Sequence, residues 1–336
     1  MKEFLKRILL NFVLPFFIVL ISVLIWDPFK VFFNHSDYYT NNPITGNRED
    51  ICVKLLDKTP NNISNFIIGS SRSQAYKTSY WSDLINQPHN TTFHYDGSVF
   101  GLYRTKNAIK YLAENYKIKN VLLIVDTDFF GEITKNPGHL FIQPPIISEE
   151  NKMAYYVTFL KASLDIKFIG YNLIYRLTGN YYDFMGHHLS KSKKSHTFNN
   201  FTGDIWYAYD QDIKSDSASY YANLISKGVF YERNKIDPSK PLIGEAQMKL
   251  LNEINQVIKK HKINVKIAVS PLYNQIKFHE SDMTILKGLF GNNNVYDFSG
   301  INDLTTNISN YYENSHYKPY VANKIMDSIY SHQGSN

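Results

Sequence analysis

The chain begins with a nearly unbroken hydrophobic run over residues 8–26. At 1.5 Å per residue, a helix of this length measures about 28 Å, which matches the hydrocarbon core of a bilayer. Lys2, Lys6 and Arg7 precede the run, and basic residues on that side favour an N-terminus that stays in the cytoplasm. The pattern therefore predicts a single-pass membrane anchor over residues 1–26. A cleaved signal peptide and a buried soluble helix are the two alternatives.

Beyond residue 60, short apolar runs alternate with segments of helical periodicity. Continuously apolar strands are typical of a parallel sheet that is covered on both faces. Strands and helices in alternation predict a doubly wound α/β core with right-handed crossovers. The predicted strands are 65–68, 93–96, 121–125, 264–269 and 295–298, and the predicted helices are 51–58, 102–116, 244–261 and 319–328.

The alternation stops between residues 129 and 243. Two helices are predicted there, over 149–164 and 167–177, but the segment is too long for an ordinary connection. We interpret it as a helical insertion above the edge of the sheet that holds the functional site, where insertions usually shape a substrate cleft. The predicted organisation is an anchor over 1–26, a lead-in segment over 27–60 and an α/β domain over 61–336 that contains the insertion. The residues after the anchor are expected outside the cytoplasm, in a bacterial periplasm or at a cell surface.

Composition and charge exclude several classes. Hydrophobic residues make up 43% of the 336 positions, so the chain can bury a sizeable core and is not disordered. The net charge of +6 is mild and no dense Lys/Arg patch is interleaved with aromatics, which argues against nucleic-acid binding. Cys52 is the only cysteine, which rules out an intrachain disulfide. His187, His188 and His196 have no cysteine or carboxylate at ligand spacing, so we expect neither a metal nor another cofactor.

The first predicted strand ends in the sequence Gly69-Ser70-Ser71-Arg72. Open α/β sheets bind ligands at the carboxyl ends of their strands, so these hydroxyls lie where a ligand is expected. A serine is a poor nucleophile at neutral pH unless an imidazole accepts its proton and a carboxylate fixes the tautomer of that imidazole. The serines alone favour a helix cap over a nucleophile, and Ser73 is expected to be a cap or a surface residue.

Such an imidazole and carboxylate stand together near the C-terminus. Glu313 and His316 are three residues apart, and Pro319 predicts a helix start just after them, so the histidine is expected on the loop before that helix. The loop should lie at the edge of the sheet that receives Ser71. Asp297 and Asp303 are the alternative carboxylates.

These two segments resemble the catalytic blocks of the SGNH (GDSL-like) hydrolase superfamily. That family has its serine third in a G-D-S type block after the first strand, and its acid and base in a D-x-x-H block near the C-terminus. The resemblance implies a flavodoxin-like doubly wound parallel sheet with Ser71 as nucleophile, His316 as base and Glu313 as the orienting acid. Ser70 is the alternative nucleophile.

An oxyanion hole requires backbone N–H groups near the nucleophile. The N–H groups of Ser71 and Gly97 are the expected donors, since a glycine after the second strand allows close approach, and Gly101 is the alternative.

Three charged side chains at the same edge are candidates for substrate binding. Arg72 directly follows the serine and could bind an acidic or phosphate-bearing glycan, with a structural salt bridge as the alternative. Asp96 and Asp128 follow the second and third strands. Because an anion there would repel a developing oxyanion, we expect them to act as turn caps or as contacts to an acceptor hydroxyl.

The resemblance implies an extracytoplasmic serine acyl esterase or O-acyltransferase. Its expected substrates are an envelope polysaccharide or a small acylated molecule, and anchored proteins of this kind often work beside a membrane-bound O-acyltransferase. The alternative is a catalytically inactive envelope scaffold or glycan-binding protein with the same fold. Two differences from the family favour that alternative: glutamate replaces aspartate, and the third strand is followed by Asp126-Thr127-Asp128 instead of the family's oxyanion asparagine block.

Overall fold

The computed structural model describes residues 1–33, 35, 43–59, 62–186, 188–190, 196–233 and 238–331; His187 and part of the predicted lead-in segment lie outside them. The strands are β1 (Asn65–Ser70), β2 (Thr92–Gly97), β3 (Asn120–Val125), β4 (Thr197–Phe198), β5 (Ile205–Trp206), β6 (Asn264–Val269), β7 (Val295–Asp297), β8 (Tyr311–Glu313) and β9 (His316–Tyr317). The helices are α1 (Lys2–Ile8), α2 (Leu14–Trp26), α3 (Arg48–Leu56), α4 (Thr78–Leu84), α5 (Leu102–Asn115), α6 (Pro145–Ser148), α7 (Lys152–Ser163), α8 (Ile166–Thr178), α9 (Tyr209–Ser215), α10 (Ser217–Ser226), α11 (Glu245–His261), α12 (Glu280–Phe290), α13 (Asp303–Thr306) and α14 (Pro319–Tyr330).

The N-terminal hydrophobic run forms one continuous helix. A π-helical turn over Leu9–Val13 joins α1 to α2, and the resulting helix from Lys2 to Trp26 is long and apolar enough to cross a membrane. Asp27 ends it in the left-handed conformation, and its carboxylate then accepts the N–H groups of Val31 and Phe32 at 2.9 and 3.0 Å. This cap turns the chain sharply into the rest of the protein.

The predicted parallel sheet is confirmed. Its five strands lie in the order β2-β1-β3-β6-β7, and every neighbouring pair is parallel. Strand β1 lies between β2 and β3, so the chain adds β2 on one side of β1 and then crosses to add β3 on the other side. In open α/β sheets this crossing creates a crevice at the carboxyl ends of β1 and β3, where ligands bind.

Helices cover both faces of the sheet. Side chains of a strand alternate between faces, so Phe66 and Ile68 enter one core while Ile67 enters the other. Helices α3, α5, α11 and α12 close the first core, and α4, α10 and α14 contribute to the second. Both faces of the sheet are therefore shielded from water, which explains why the strands are continuously apolar instead of alternating between apolar and polar residues.

Helices α6 to α10 and the short β4–β5 hairpin occupy the segment that was predicted as an insertion. Helices α7 and α8 pack on a third apolar cluster, which includes Phe29, Phe159 and Phe168. The side chain of Trp26 stacks on Phe168, with 5.8 Å between ring centroids. This third cluster thus joins the end of the N-terminal helix to the insertion.

Gly69 lies at the tightest point beneath the candidate nucleophile. A Cβ there would lie 2.8 Å from Ser73 Cβ and 3.0 Å from the Ile124 carbonyl oxygen, which belongs to the neighbouring strand. Only glycine lets β1 and the turn after it approach β3 this closely.

We expect Gly69→Ala to lower the free energy of unfolding by about 1–3 kcal/mol, because the added methyl group overpacks against backbone that cannot move freely. The matched control is Gly170→Ala in α8, where a Cβ meets nothing within 4 Å. That substitution should stabilise the protein by about 0.5–1 kcal/mol through helix propensity. Urea denaturation of both variants in detergent measures the difference. Equal stabilities would contradict the close approach at Gly69.

Candidate active site

Ser71, His316 and Glu313 meet at the carboxyl end of the sheet. Ser71 Oγ lies 2.8 Å from His316 Nε2, and Glu313 Oε1 is hydrogen-bonded to His316 Nδ1 on the other side of the ring. All three residues are half-buried, so the hydroxyl is accessible while its partners are held in place. The two segments singled out in the sequence, 245 positions apart, thus form one hydrogen-bonded array.

The array has a defined proton order. An ionised carboxylate only accepts hydrogen bonds, so Glu313 fixes the proton on Nδ1 and leaves Nε2 as an acceptor for the Ser71 hydroxyl. Burial raises the pKa of Glu313, but the hydrogen bond and charge of His316 and the N–H of Ser315 outweigh it and bring the pKa below its ordinary value of 4.5. The acid is therefore ionised at neutral pH, as an orienting group must be.

A small hairpin positions the acid and the base. Strands β8 and β9 pair antiparallel, with Glu313 opposite His316 and Tyr311 opposite Tyr317. The turn between them directs the Ser315 N–H to Glu313 Oε2 at 2.8 Å, so both carboxylate oxygens are occupied. Helix α14 starts immediately afterwards at Pro319, as the sequence predicted. Glu313, and not Asp297 or Asp303, is the carboxylate that lies against the histidine; Asp297 instead accepts from Ser299 and Lys277.

Arg72 links the turn that carries Ser71 to the β8–β9 hairpin and to the end of β3. Its Nη1 lies 2.7 Å from Asp126 Oδ2 and 2.9 Å from Asp128 Oδ2, and its Nε donates to the Ser315 carbonyl at 3.3 Å. Burial lowers the pKa of the Arg72 guanidinium, but the two carboxylates outweigh it, raise the pKa above its ordinary value and keep the group charged. The guanidinium thus forms a structural salt bridge, which was the alternative to a role in substrate binding. Asp126, which follows β3 directly, is its most buried partner and was not singled out in the sequence.

Asp96 and Asp128 have different surroundings. The Asp96 side chain is completely enclosed, where Arg48 Nε donates to it at 3.1 Å and Gln74 Nε2 also donates. Burial raises its pKa, but the charge of Arg48 outweighs this and lowers the pKa below the ordinary value. Its carboxylate therefore holds α3 against β2 and is not open to a substrate. Asp128 remains 62% exposed beside Arg72, at the opening of the site.

The glycines considered for the oxyanion hole also differ. Gly97 is the register partner of Ser70 on the adjacent strand, next to the candidate nucleophile. A Cβ at Gly97 would lie 2.7 Å from the Phe100 ring, so the close packing requires glycine. The N–H of Gly101, in contrast, donates to Glu132 at 2.7 Å and is already used. The Gly101 N–H is therefore not available to an oxyanion.

A second hydroxyl, imidazole and carboxylate lie beneath the first. Ser73 Oγ is 2.8 Å from His94 Nε2, and His94 Nδ1 is 3.7 Å from Asp204. Ser73 donates its single hydroxyl proton to the Ser70 carbonyl at 2.7 Å, so His94 Nε2 must be the donor to Ser73. Ser73 therefore cannot pass its proton to this histidine. Ser73 and His94 are fully buried, and the network supports the turn that carries Ser71. The expectation that Ser73 is a cap or a surface residue is therefore wrong, because Ser70 caps this turn by accepting the Arg72 N–H.

Aromatic side chains of the insertion close one side of the site. The Tyr207 ring lies 6.0 Å from the His316 ring and 5.4 Å from the Tyr312 ring, and its hydroxyl donates to Gln74. Tyr209 packs behind it and lines a cavity of about 1390 Å³ that extends towards α7 and α8. Ser71 and His316 do not line this cavity. No periodic or spacing signal in the sequence singled out Tyr207, because the insertion follows no regular pattern.

No protein-family model matches the chain, and no curated protein matches it with significant similarity.

The pKa of Glu313 makes a prediction about acid stability. Because its folded-state pKa is lowered, the carboxylate contributes stability above pH 4.5, and this contribution is lost as the pH falls through the folded-state value. We expect Glu313→Gln to be less stable than wild type at pH 7, with a difference that shrinks progressively below pH 4.5.

Urea denaturation at several pH values measures this difference. Glu280→Gln, at an exposed position, corrects for the loss of one negative charge. A difference between wild type and Glu313→Gln that stays constant across the acid range would contradict the pairing with His316.

Proposed function

We propose that the protein is a serine acyl esterase or O-acyltransferase of the SGNH type, anchored in a membrane with its α/β domain outside the cytoplasm. The observation that supports this best is the array at the carboxyl end of the sheet, in which Ser71 Oγ lies 2.8 Å from the Nε2 of a histidine that Glu313 holds. Nucleophile, base and orienting acid are the three groups that acyl transfer through a serine requires. The strand order β2-β1-β3-β6-β7 corresponds to the flavodoxin-like order 2-1-3-4-5 and is compatible with this family.

The proposed reaction has two halves. In the first, Ser71 Oγ attacks the ester carbonyl carbon while its proton passes to His316 Nε2, and Glu313 stabilises the resulting imidazolium. The N–H groups of Ser71 and Gly97 would stabilise the tetrahedral oxyanion. Collapse breaks the ester bond, and the leaving alcohol takes the proton from His316. In the second half, water or a sugar hydroxyl gives its proton to His316 Nε2 and attacks the acyl carbon. The bond between that carbon and Ser71 Oγ then breaks, Ser71 Oγ takes the proton back from His316, and the acid or the new ester leaves.

Two features support retention of the N-terminal helix as an anchor. Val23 is 4% exposed although it belongs to the helix, and Trp26 packs on Phe168 and beneath the Arg176 guanidinium. Removal of the helix would expose part of the third apolar cluster to water, and exposure of apolar surface costs free energy. A signal peptide that is cleaved away has no reason to pack against the mature protein.

For the substrate, we infer an acylated envelope glycan or a small acylated molecule, with a membrane-bound O-acyltransferase as partner. This assignment rests on the resemblance of the two catalytic blocks and on the proposed anchor. A membrane-tethered acyl-transfer site acts on molecules that are made or displayed at the same membrane.

A fluorophosphonate probe tests the nucleophile directly. We expect the probe to label wild-type protein on Ser71, with labelling abolished in Ser71→Ala. In His316→Ala, the second-order rate constant of labelling should fall by about 10²–10⁴-fold, because the general base is lost. Ser70→Ala is the matched control, since this hydroxyl is adjacent and accepts the Arg72 N–H at 3.4 Å. Its labelling should be retained.

Several outcomes would favour the inactive scaffold or glycan-binding protein. The decisive one is a folded wild-type protein that is neither labelled nor able to hydrolyse simple acetyl esters. Labelling that survives in Ser71→Ala and disappears in Ser70→Ala would instead assign the nucleophile to Ser70. Circular dichroism of each variant establishes that it is folded.

Arg72 should act as a positioning residue. We expect Arg72→Lys to lower the labelling rate constant by roughly 10–100-fold, because an ammonium cannot span Ser315, Asp126 and Asp128 as the guanidinium does, and small misplacements of catalytic groups are costly. Arg233→Lys is the matched control, since Arg233 donates to the Thr306 carbonyl and packs on Tyr273 away from the site. Equal labelling rates in the two variants would contradict the positioning role.

A further inference from the structure

Helix α8 has two apolar faces. Phe168, Tyr171 and Tyr175 face the third apolar cluster, where Phe168 is 3% exposed. Roughly opposite on the helix, at 100° per residue, a second stripe recurs at positions 166, 170, 173 and 177. A helix on the surface of a soluble protein has a polar outer face, so this stripe needs an explanation.

The side chains of the outer stripe are strongly exposed. Ile166 is 82%, Leu173 is 56% and Leu177 is 77% exposed. Gly170 occupies the remaining position and leaves the stripe flat, since a Cβ there would meet nothing within 4 Å. Lys167 lies beside the stripe on one flank and Arg176 on the other. An apolar stripe between basic flanks is typical of helices that lie in a membrane interface.

The position of α8 identifies the surface that would cover this stripe. Trp26 is the last residue of the N-terminal helix, and its ring stacks on Phe168 and lies 4.7 Å from the Arg176 guanidinium carbon. Helix α8 therefore crosses the point where the N-terminal helix meets the α/β domain. Its inner face packs on the domain, so its outer face points away from it. Tryptophan and arginine are residues that settle at the headgroup level of a bilayer.

We propose that α8 is an interfacial helix that inserts Ile166, Leu173 and Leu177 among the lipids of the membrane crossed by the N-terminal helix. The proposal rests on the proposed anchor but not on the proposed catalysis. The contact between α8 and the anchor favours lipid over a protein partner. Because Trp26 is the last residue of the proposed membrane-spanning helix, a helix that packs on it lies beside the bilayer surface. With two points of attachment, the α/β domain is held in one orientation to the membrane.

Lipid contact can be measured in the full-length protein. Cys52 is completely buried, so a single introduced cysteine can be labelled selectively with an environment-sensitive fluorophore. Leu173→Cys reports on α8, Ile18→Cys on the N-terminal helix, and Ile301→Cys, which replaces a side chain that is 74% exposed, is the matched control on the α/β domain. Each protein is placed in phosphatidylcholine nanodiscs with and without doxyl-labelled phosphatidylcholine.

We expect doxyl lipid to quench the labels at 173 and 18 by about twofold or more and to leave the label at 301 unchanged, because an interfacial helix sits within 5–10 Å of the acyl chains. Quenching at 18 without quenching at 173 would overturn the interfacial helix and leave the anchor intact. Absence of quenching at both positions would overturn the anchor and this proposal together. Equal quenching at 173 and 301 would also overturn it, since the contact would then not be specific to α8.

Discussion

The guanidinium of Arg72 is the group through which distant parts of the chain reach one another. It follows the candidate nucleophile in sequence, pairs with Asp126 and Asp128 after β3, and holds the carbonyl that precedes His316. Asp126 is 5% exposed, so loss of its partner would leave a buried charge uncompensated. The same interaction therefore stabilises the edge of the sheet and sets the distance between the serine and the imidazole.

The sheet and the array could be predicted because their signals are local. Each strand is a short apolar run with a turn residue at its end, and the structure differs from the predicted bounds by only a few residues. Glu313 and His316 are three positions apart, so a tight hairpin suffices to bring them together. Ser71 was recognisable because a glycine and two serines directly after a buried strand place a hydroxyl at the edge where such sheets bind ligands.

The partners of the charged residues could not be predicted in the same way. Asp96 is held by Arg48 from the segment before the sheet, and the site is closed by Tyr207 from the insertion. Neither contact depends on periodicity or on short spacing; both depend on how separate segments pack in three dimensions. A carboxylate at a strand end therefore indicates the edge of the sheet, but its exposure is decided by tertiary structure. For the same reason, Asp126 gave no signal that distinguished it from Asp128.

Ser71 and Ser73 lie two positions apart on one turn, and each has a histidine at 2.8 Å, yet their hydrogen bonds run in opposite directions. The Ser71 hydroxyl donates its hydrogen bond to the imidazole, whereas the Ser73 hydroxyl donates to the Ser70 carbonyl and accepts from its histidine. The distance from hydroxyl to imidazole does not distinguish Ser71 from Ser73, because it is 2.8 Å for both. The direction of the hydrogen bond, rather than the distance to the ring, therefore distinguishes the serine that points its proton at a histidine from the one that does not.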